Sequence, residues 1–244
     1  WAVTQGGTAR ASATAYAVIC GGTTLTGAQQ SVASVGTSGY ALVSNGAGAL
    51  PSFQGFLQSG TGATTRTWQA KNSDVVSVKD FGATGNGSTD DAAAIQLAIN
   101  TGKAIYFPAG TYLIATALAF STIGQMFFGA GMELSIISLS GAIKGFVSSG
   151  GLVRCMFRDL QIAGNSSTSI GIDVSSGNLY ESAFQNLVIT TGQQCIYAPT
   201  EFSNQFTNVQ VSSSNSHGLE VAGGSGTVFT GCYAHTIPTS GKFG

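Results

Sequence analysis

Carboxylates are scarce in this chain, so their spacing is informative. Its 244 residues include ten acids, nine Lys or Arg and two His. Asp90 and Asp91 are adjacent and precede an apolar pattern at Ala94, Ile95, Ala98 and Ile99. Asp173, Tyr197 and Glu220 recur in three stretches of one design: Gly171-Ile172-Asp173-Val174, Cys195-Ile196-Tyr197-Ala198 and Gly218-Leu219-Glu220-Val221. If these stretches stack as strands, Asp173 and Glu220 stand two coils apart, about 9.6 Å at ordinary strand spacing. Two carboxylates separated by about 6.5–9.5 Å suit an inverting glycosidase, with a water held between them. An aromatic between acids could stack on a sugar ring. The bland alternative is a solvated strand face, because backbone spacing does not fix carboxylate spacing. Asp173, Tyr197 and Glu220 are therefore carbohydrate-contact candidates, and no catalytic residue is assigned.

Other chemistry is thin. His217 and His235 fall at different offsets from the Phe preceding each, 11 and 6 residues, so a shared metal is not expected. The spacing of His and Cys offers no metal-ligand cluster, and no cofactor is expected. Gly85-Asn86-Gly87 is not a phosphate loop, because no βαβ pattern surrounds it. Cys20, Cys155, Cys195 and Cys232 fit neither a zinc knuckle nor a disulfide framework. Reduced thiols fit assembly in a cytosol. Glu181 and Glu201 read as turn residues.

The element that positions these residues is a repeat. Phe157-Arg158-Asp159-Leu160, Phe184-Gln185-Asn186-Leu187, Phe206-Thr207-Asn208-Val209 and Phe229-Thr230-Gly231-Cys232 align. A second, alternating strand follows the first three motifs at a similar offset. A period of twenty-odd residues with short strands and no helix between them predicts a β-solenoid. Leu160, Leu187, Val209 and Cys232 then form an inward column. Asp159, Asn186 and Asn208 form a column at a turn, where side chains bond from coil to coil.

A solenoid exposes a core cross-section and strand edges at its ends, which need covering. A short amphipathic helix, about residues 90–100, is predicted to cover one end. Ser88 or Thr89 is its expected N-cap, with Asp90 and Asp91 in the first turn, where carboxylates favour the helix dipole. Thr89, Asp90 and Asp91 are thus structural cap residues. Gly82, Gly85 and Gly87 permit a sharp approach.

Charge divides the chain. Residues 1–65 contain a single charged residue, Arg10, and every acid lies from Asp74 onward. The uncharged part is rich in small residues, with β-like pieces at Tyr16–Ile19 and Tyr40–Val43. Such a segment suits packing against other chains better than building its own core. A formal charge of −1 argues against nucleic-acid binding. No apolar run reaches membrane-spanning length, so no membrane insertion is expected. No signal peptide is visible from Trp1, where residues before it are expected to be missing. The last coil reads as incomplete, which suggests an N-terminal fragment of a longer polypeptide.

Val76-Ser77-Val78-Lys79-Asp80-Phe81-Gly82-Ala83, then Gly85-Asn86-Gly87-Ser88-Thr89-Asp90-Asp91, then Ala104-Ile105-Tyr106-Phe107-Pro108-Ala109-Gly110-Thr111-Tyr112 occur in order. This order resembles the opening of pectate-lyase-like right-handed parallel β-helices, as found in bacteriophage tailspikes. Gly36-Thr37-Ser38-Gly39 and Ser44-Asn45-Gly46-Ala47-Gly48-Ala49-Leu50-Pro51 resemble tail-fibre sequence. The resemblance implies an all-β homotrimer in the virion tail, assembled in the host cytoplasm and acting at the host cell surface. It implies three regions: 1–70 for trimerisation and attachment to virion tail or adaptor proteins, 71–115 as the β-helix N-terminal cap, and 116–244 as coils. It implies recognition, and potentially depolymerisation by a hydrolase or lyase, of a host surface glycan. Glycan sites in such proteins usually lie further along the helix or between subunits. The alternatives are a secreted pectin-lyase-like enzyme and a non-catalytic β-solenoid adhesin.

Overall fold

The computed structural model describes residues 15–21, 28–148, 150–164, 166–213, 218–221 and 225–235. It has two compact units, Trp1–Asp74 and Val75–Gly244.

The second unit is a parallel β-helix. Its main sheet runs, in spatial order, through strands Val75–Ser77, Ala104–Phe107, Met126–Gly129, Met156–Gly164, Ala183–Thr191, Gln205–Ser213 and Val228–Thr230. All neighbours are parallel, and the register sets Phe157 beside Phe184, Phe184 beside Phe206 and Phe206 beside Phe229. The repeat reads correctly, and its physical content is a stack of rings. Centroids are 5.6 Å apart from Phe157 to Phe184, 4.8 Å to Phe206 and 4.9 Å to Phe229, and Phe127 extends the stack 4.7 Å below Phe157. Leu160, Leu187 and Val209 share the second inward column, and Cys232 packs against it. A second parallel sheet carries Leu118–Phe120, Lys144–Ser148, Ile170–Asp173, Gln194–Ala198 and Leu219–Val221. A third joins Leu152–Val153, Leu179–Tyr180 and Glu201–Phe202.

Asp159, Asn186 and Asn208 do form a column, although not at a turn between strands. Each lies inside a nine-residue strand of the main sheet, in the left-handed region, at φ of 57°, 50° and 51°. Each bends its strand so that one continuous segment builds two faces of the coil. Asn and Asp tolerate this conformation better than bulkier residues. Asn186 Nδ2 donates to Asp159 Oδ1 at 2.9 Å, and Asn208 Nδ2 donates to Asn186 Oδ1 at 3.1 Å.

The helix covers the first coil as expected, but its start differs. It spans Ala92–Ile99, and its N-cap is Asp91. Thr89 does not cap it: Ser88 and Thr89 lie in a strand, Asn86–Asp90, and Thr89 Oγ1 accepts from Asn86 Nδ2. Asp91 is 2 % exposed and turns its carboxylate away from the helix, accepting from Thr84 N (2.7 Å), Thr84 Oγ1 (3.0 Å) and Gly85 N (3.0 Å). Asp90 Oδ1 accepts from Ala92 N and from Ala115 N, both at 3.1 Å. The pair therefore ties a loop and a strand to the helix start, which is more than favouring a dipole. Gly85 is squeezed into this knot at φ 66°, where a Cβ would come within 2.9 Å of the Tyr112 ring. Burial and the Asp91 carboxylate together push the Tyr112 hydroxyl up to about 12. That hydroxyl donates to Pro108 O at 2.8 Å.

Ala92, Ile95, Ala98 and Ile99 are buried in the same cluster as Val76, Val78 and Ile105, and Ala94 packs against it. Gln96 closes a strand edge. Its Nε2 donates to Ala119 O at 2.7 Å and its Oε1 accepts from Ala119 N at 2.8 Å, as a neighbouring strand would. The lid thus covers the apolar cross-section and satisfies edge hydrogen bonds, the two liabilities of a solenoid end.

The first unit has a different build. Two hairpins pair antiparallel, Ile19–Cys20 with Gln30–Ser31 and Ala41–Val43 with Ser52–Gln54. A five-residue helix, Trp68–Asn72, follows, capped by Thr67 Oγ1 accepting from Ala70 N at 3.0 Å. The sequence pattern did not announce this helix. Val32 is the one buried apolar residue among the described residues of this unit.

Candidate functional site

The register of the candidate column is as read from the sequence. Asp173 pairs with Tyr197, and Tyr197 with Glu220, in successive strands of the second sheet. Inward neighbours Ile172, Ile196 and Leu219 fix which face these residues occupy. Glu220 is placed by its backbone.

Asp173 is not the open carboxylate that a solvated face would give. It is 1 % exposed, forms an ion pair with Lys144 Nζ, and accepts from Ser175 N at 2.7 Å. Burial pushes its carboxyl up, but Lys144 and the Ser175 hydrogen bonds outweigh that and leave it below its ordinary value. A carboxylate held in this way is a poor proton donor near neutral pH. Lys144 belongs to the preceding coil, where it is registered with Ile170, and its ammonium reaches along the sheet to Asp173. Tyr197 is half-buried in the same column. What this face can do is present an aromatic, Tyr197, and the half-exposed Lys144 to a ligand. The geometry assigns no acid–base pair to it.

The third sheet adds a pair that the sequence reading passed over. Tyr180 and Phe202 are register neighbours, with ring centroids 6.3 Å apart, and Phe202 is 48 % exposed. Arg154 Nε donates to Glu181 Oε2 at 2.7 Å beside them. Glu181 sits at φ 47°, in keeping with its reading as a turn residue. Glu201 is instead a buried strand residue, registered with Leu179. Its Oε2 accepts from Asn204 Nδ2 at 3.0 Å and Thr227 Oγ1 at 2.5 Å. Asn204, fully buried, also donates to Leu179 O and accepts from Ser182 N. This polar knot ties three successive coils and is structural. The cue for the aromatic pair was the Tyr180-to-Phe202 interval of 22 residues, equal to that between Phe184 and Phe206.

His217 lies outside the described residues. Cys195 is buried, and burial pushes its thiol up. It donates to Ile189 O and packs as a core residue.

Comparison with known proteins agrees with this architecture. Residues 75–152 match the family described as rhamnogalacturonase A/epimerase, pectate lyase-like. The pre-neck appendage protein of Bacillus phage phi29 is 34 % identical over 68 residues, covering 28 % of this chain and 8 % of that protein. The mannuronan C5-epimerase AlgE4 of Azotobacter vinelandii is 33 % identical over 114 residues, covering 38 % of this chain and 20 % of that protein. Among solved structures, the bacteriophage CBA120 tailspike protein 3 covers 72 % of this chain and 31 % of its own, at 20 % identity and a TM-score of 0.46. The chain spans a fifth or less of the length of these curated relatives. From Val75 the chain is a parallel β-helix whose opening segment, residues 75–152, is pectate-lyase-like, and it shares a 68-residue stretch of sequence with a phage pre-neck appendage protein.

Proposed function

We propose that this chain is part of a phage tailspike or tail fibre that recognises polysaccharide on the host surface through its β-helix. The observation that carries the reading is the stacked parallel coil opening on a pectate-lyase-like segment, residues 75–152, with a phage appendage among its relatives. Outward columns on such a coil repeat at about 4.8 Å. That is close to the length of one sugar residue in an extended chain, so a glycan lying along the axis would meet one rung per residue. Tyr197, with the Tyr180–Phe202 pair, supplies aromatic surface for such contacts.

The chain acts as a homotrimer, with the region of residues 1–70 docking to virion tail or adaptor proteins. The support is chemical. Residues 15–65 carry no charge, and this region exposes Tyr16, Ile19, Val35, Leu42 and Leu57, each at least 43 %. Two hairpins that bury one side chain among the described residues are marginal in water unless something covers them.

The test is retention of the purified chain on immobilised host surface polysaccharide, with molar mass from light scattering on the same sample. Retention by the polysaccharide of one host and not of an unrelated strain, at three times the subunit mass, is expected. A monomer without preference for any surface glycan would overturn the proposal.

A further inference from the structure

We infer that the outward face of the main sheet, from Val75 to Ala183, is a seam packed against a second copy of this chain. The inference rests on the homotrimer reading above and names the surface that reading needs. Two columns point away from the core here, because the residues between them, Val76, Ile105, Phe127, Phe157 and Phe184, are buried. One is Val75, Ala104, Met126, Met156 and Ala183; the other runs through Tyr106, Phe128 and Arg158. Neither contains an acid. Val75 is 44 % exposed, while Met126, Met156, Tyr106 and Phe128 are half-buried. Aromatic residues, Met and Arg are the types enriched at the core of protein interfaces, where acids and Lys are depleted.

The ring geometry selects protein over glycan. Tyr106 and Phe128 stack along the coil axis, centroids 5.1 Å apart at 31°, and the Arg158 guanidinium lies 5.2 Å over Phe128. Their faces are therefore used within the ladder, and their edges point outward. A sugar ring packs on an aromatic face; ring edges beside methionines suit side chains of another protein.

The charges select a copy over a foreign protein. Arg158 Nε is buried with no hydrogen-bond partner, and its NH1 is 3.6 Å from Asp159 Oδ2, too far for a hydrogen bond. Cation and anion occupy one rung. Copies related by rotation about an axis parallel to the coil keep equal rungs at equal height. Arg158 then stands level with the partner subunit's Asp159, and in a three-fold ring each copy offers its cation to one neighbour and its anion to the other, a head-to-tail contact that closes. The rest of the strip is uncharged and selects no basic or acidic partner.

The test uses the intact chain with Met126→Glu and Met156→Glu combined, and Ala119→Glu as a control charge on the outward face of the second sheet. Molar mass by native mass spectrometry is the readout, with circular dichroism confirming the β-fold. The double variant is expected to fall to one subunit mass where the parent and Ala119→Glu remain assembled. An assembled double variant overturns the seam and leaves the homotrimer standing. A parent that is monomeric overturns both. If the double variant does not fold, peroxide footprinting of the parent decides: Met126 and Met156 oxidise several-fold more slowly in the assembled chain than after dilution to monomer, and equal rates overturn the seam.

Discussion

The two units of this chain solve the burial problem in opposite ways. From Val75 onward, each coil buries its apolar column on the coil before it, so repetition manufactures the core. Before Asp74, short hairpins bury Val32 and leave Leu42, Leu57 and Trp68 at least 39 % exposed. The first design makes its core from its own repeats. The second leaves its apolar side chains in the open. Low charge therefore has two meanings in one chain: in the coils it accompanies a core, and before them it accompanies exposed apolar side chains.

Hydrogen exchange would break or sharpen this contrast most directly. Amides of the coil strands between Met156 and Ser213 are expected to exchange several orders of magnitude more slowly than those of Ala41–Val43 in the dilute chain. Raising the concentration should slow the hairpin amides most. Equal protection of both units in dilute solution would abolish the comparison.

Next in size is the ring stack. Phe184→Ala removes a fully buried ring between Phe157 and Phe206 and should cost about 3–5 kcal/mol in denaturant unfolding of the coils. Asp91→Ala strips the acceptor from Thr84 N, Thr84 Oγ1 and Gly85 N and should cost on the order of 3 kcal/mol. Its signature is earlier loss of the lid: exchange at Ala92–Ile99 rises before exchange at Phe184 does. Asn186→Ala breaks the ladder at both ends and places Ala at φ 50°, for about 1–2 kcal/mol. Asn186→Gly restores the backbone share and not the hydrogen bonds.

The smallest effect is acid sensitivity at Asp173. Its carboxyl is lowered in the folded chain, so its stabilisation is present above the unfolded-state value of about 3.9 and fades as pH falls through the lower folded value. Asp173→Asn should flatten that acid limb while neutral-pH stability falls only modestly, because Lys144 is half exposed. In the first unit, Arg66 holds the Asp74 carboxyl low by hydrogen bonds, with Lys71 assisting. That pair is open to solvent, and Arg66→Gln should leave the coils' unfolding midpoint unchanged.

What could be read from the sequence follows from range. Phe157, Phe184 and Phe206 each open the same short motif, with Leu or Val three residues on, and register follows from aligning that motif. The lid helix was legible because Ile95, Ala98 and Ile99 share a face. Its start was misplaced because Asp90 and Asp91 bond to Ala115, Thr84 and Gly85 rather than to the next turn, and no local pattern announces such contacts. Asp173 read as open because Lys144 lies in an earlier coil that lacks the Phe-x-Asn signature, so the cation could not be placed beside it. Tyr106 and Phe128 were hidden for the same reason: the coils before Met156 have loops where later ones have the left-handed bend.

The column of Asp159, Asn186 and Asn208 also has a sense of direction. An amide can face either way in such a stack, but a carboxylate at neutral pH can only accept. Asp159 therefore obliges Asn186 to present its NH2, which leaves the Asn186 oxygen for Asn208. One residue that cannot donate sets the orientation of each amide beyond it, and their dipoles add along the coil with the positive ends toward the carboxylate. The rung of Gly231 offers no side chain to carry the orientation further. The stack is thus polar as well as periodic: it distinguishes one end of the coil axis from the other, which identical apolar rings cannot do.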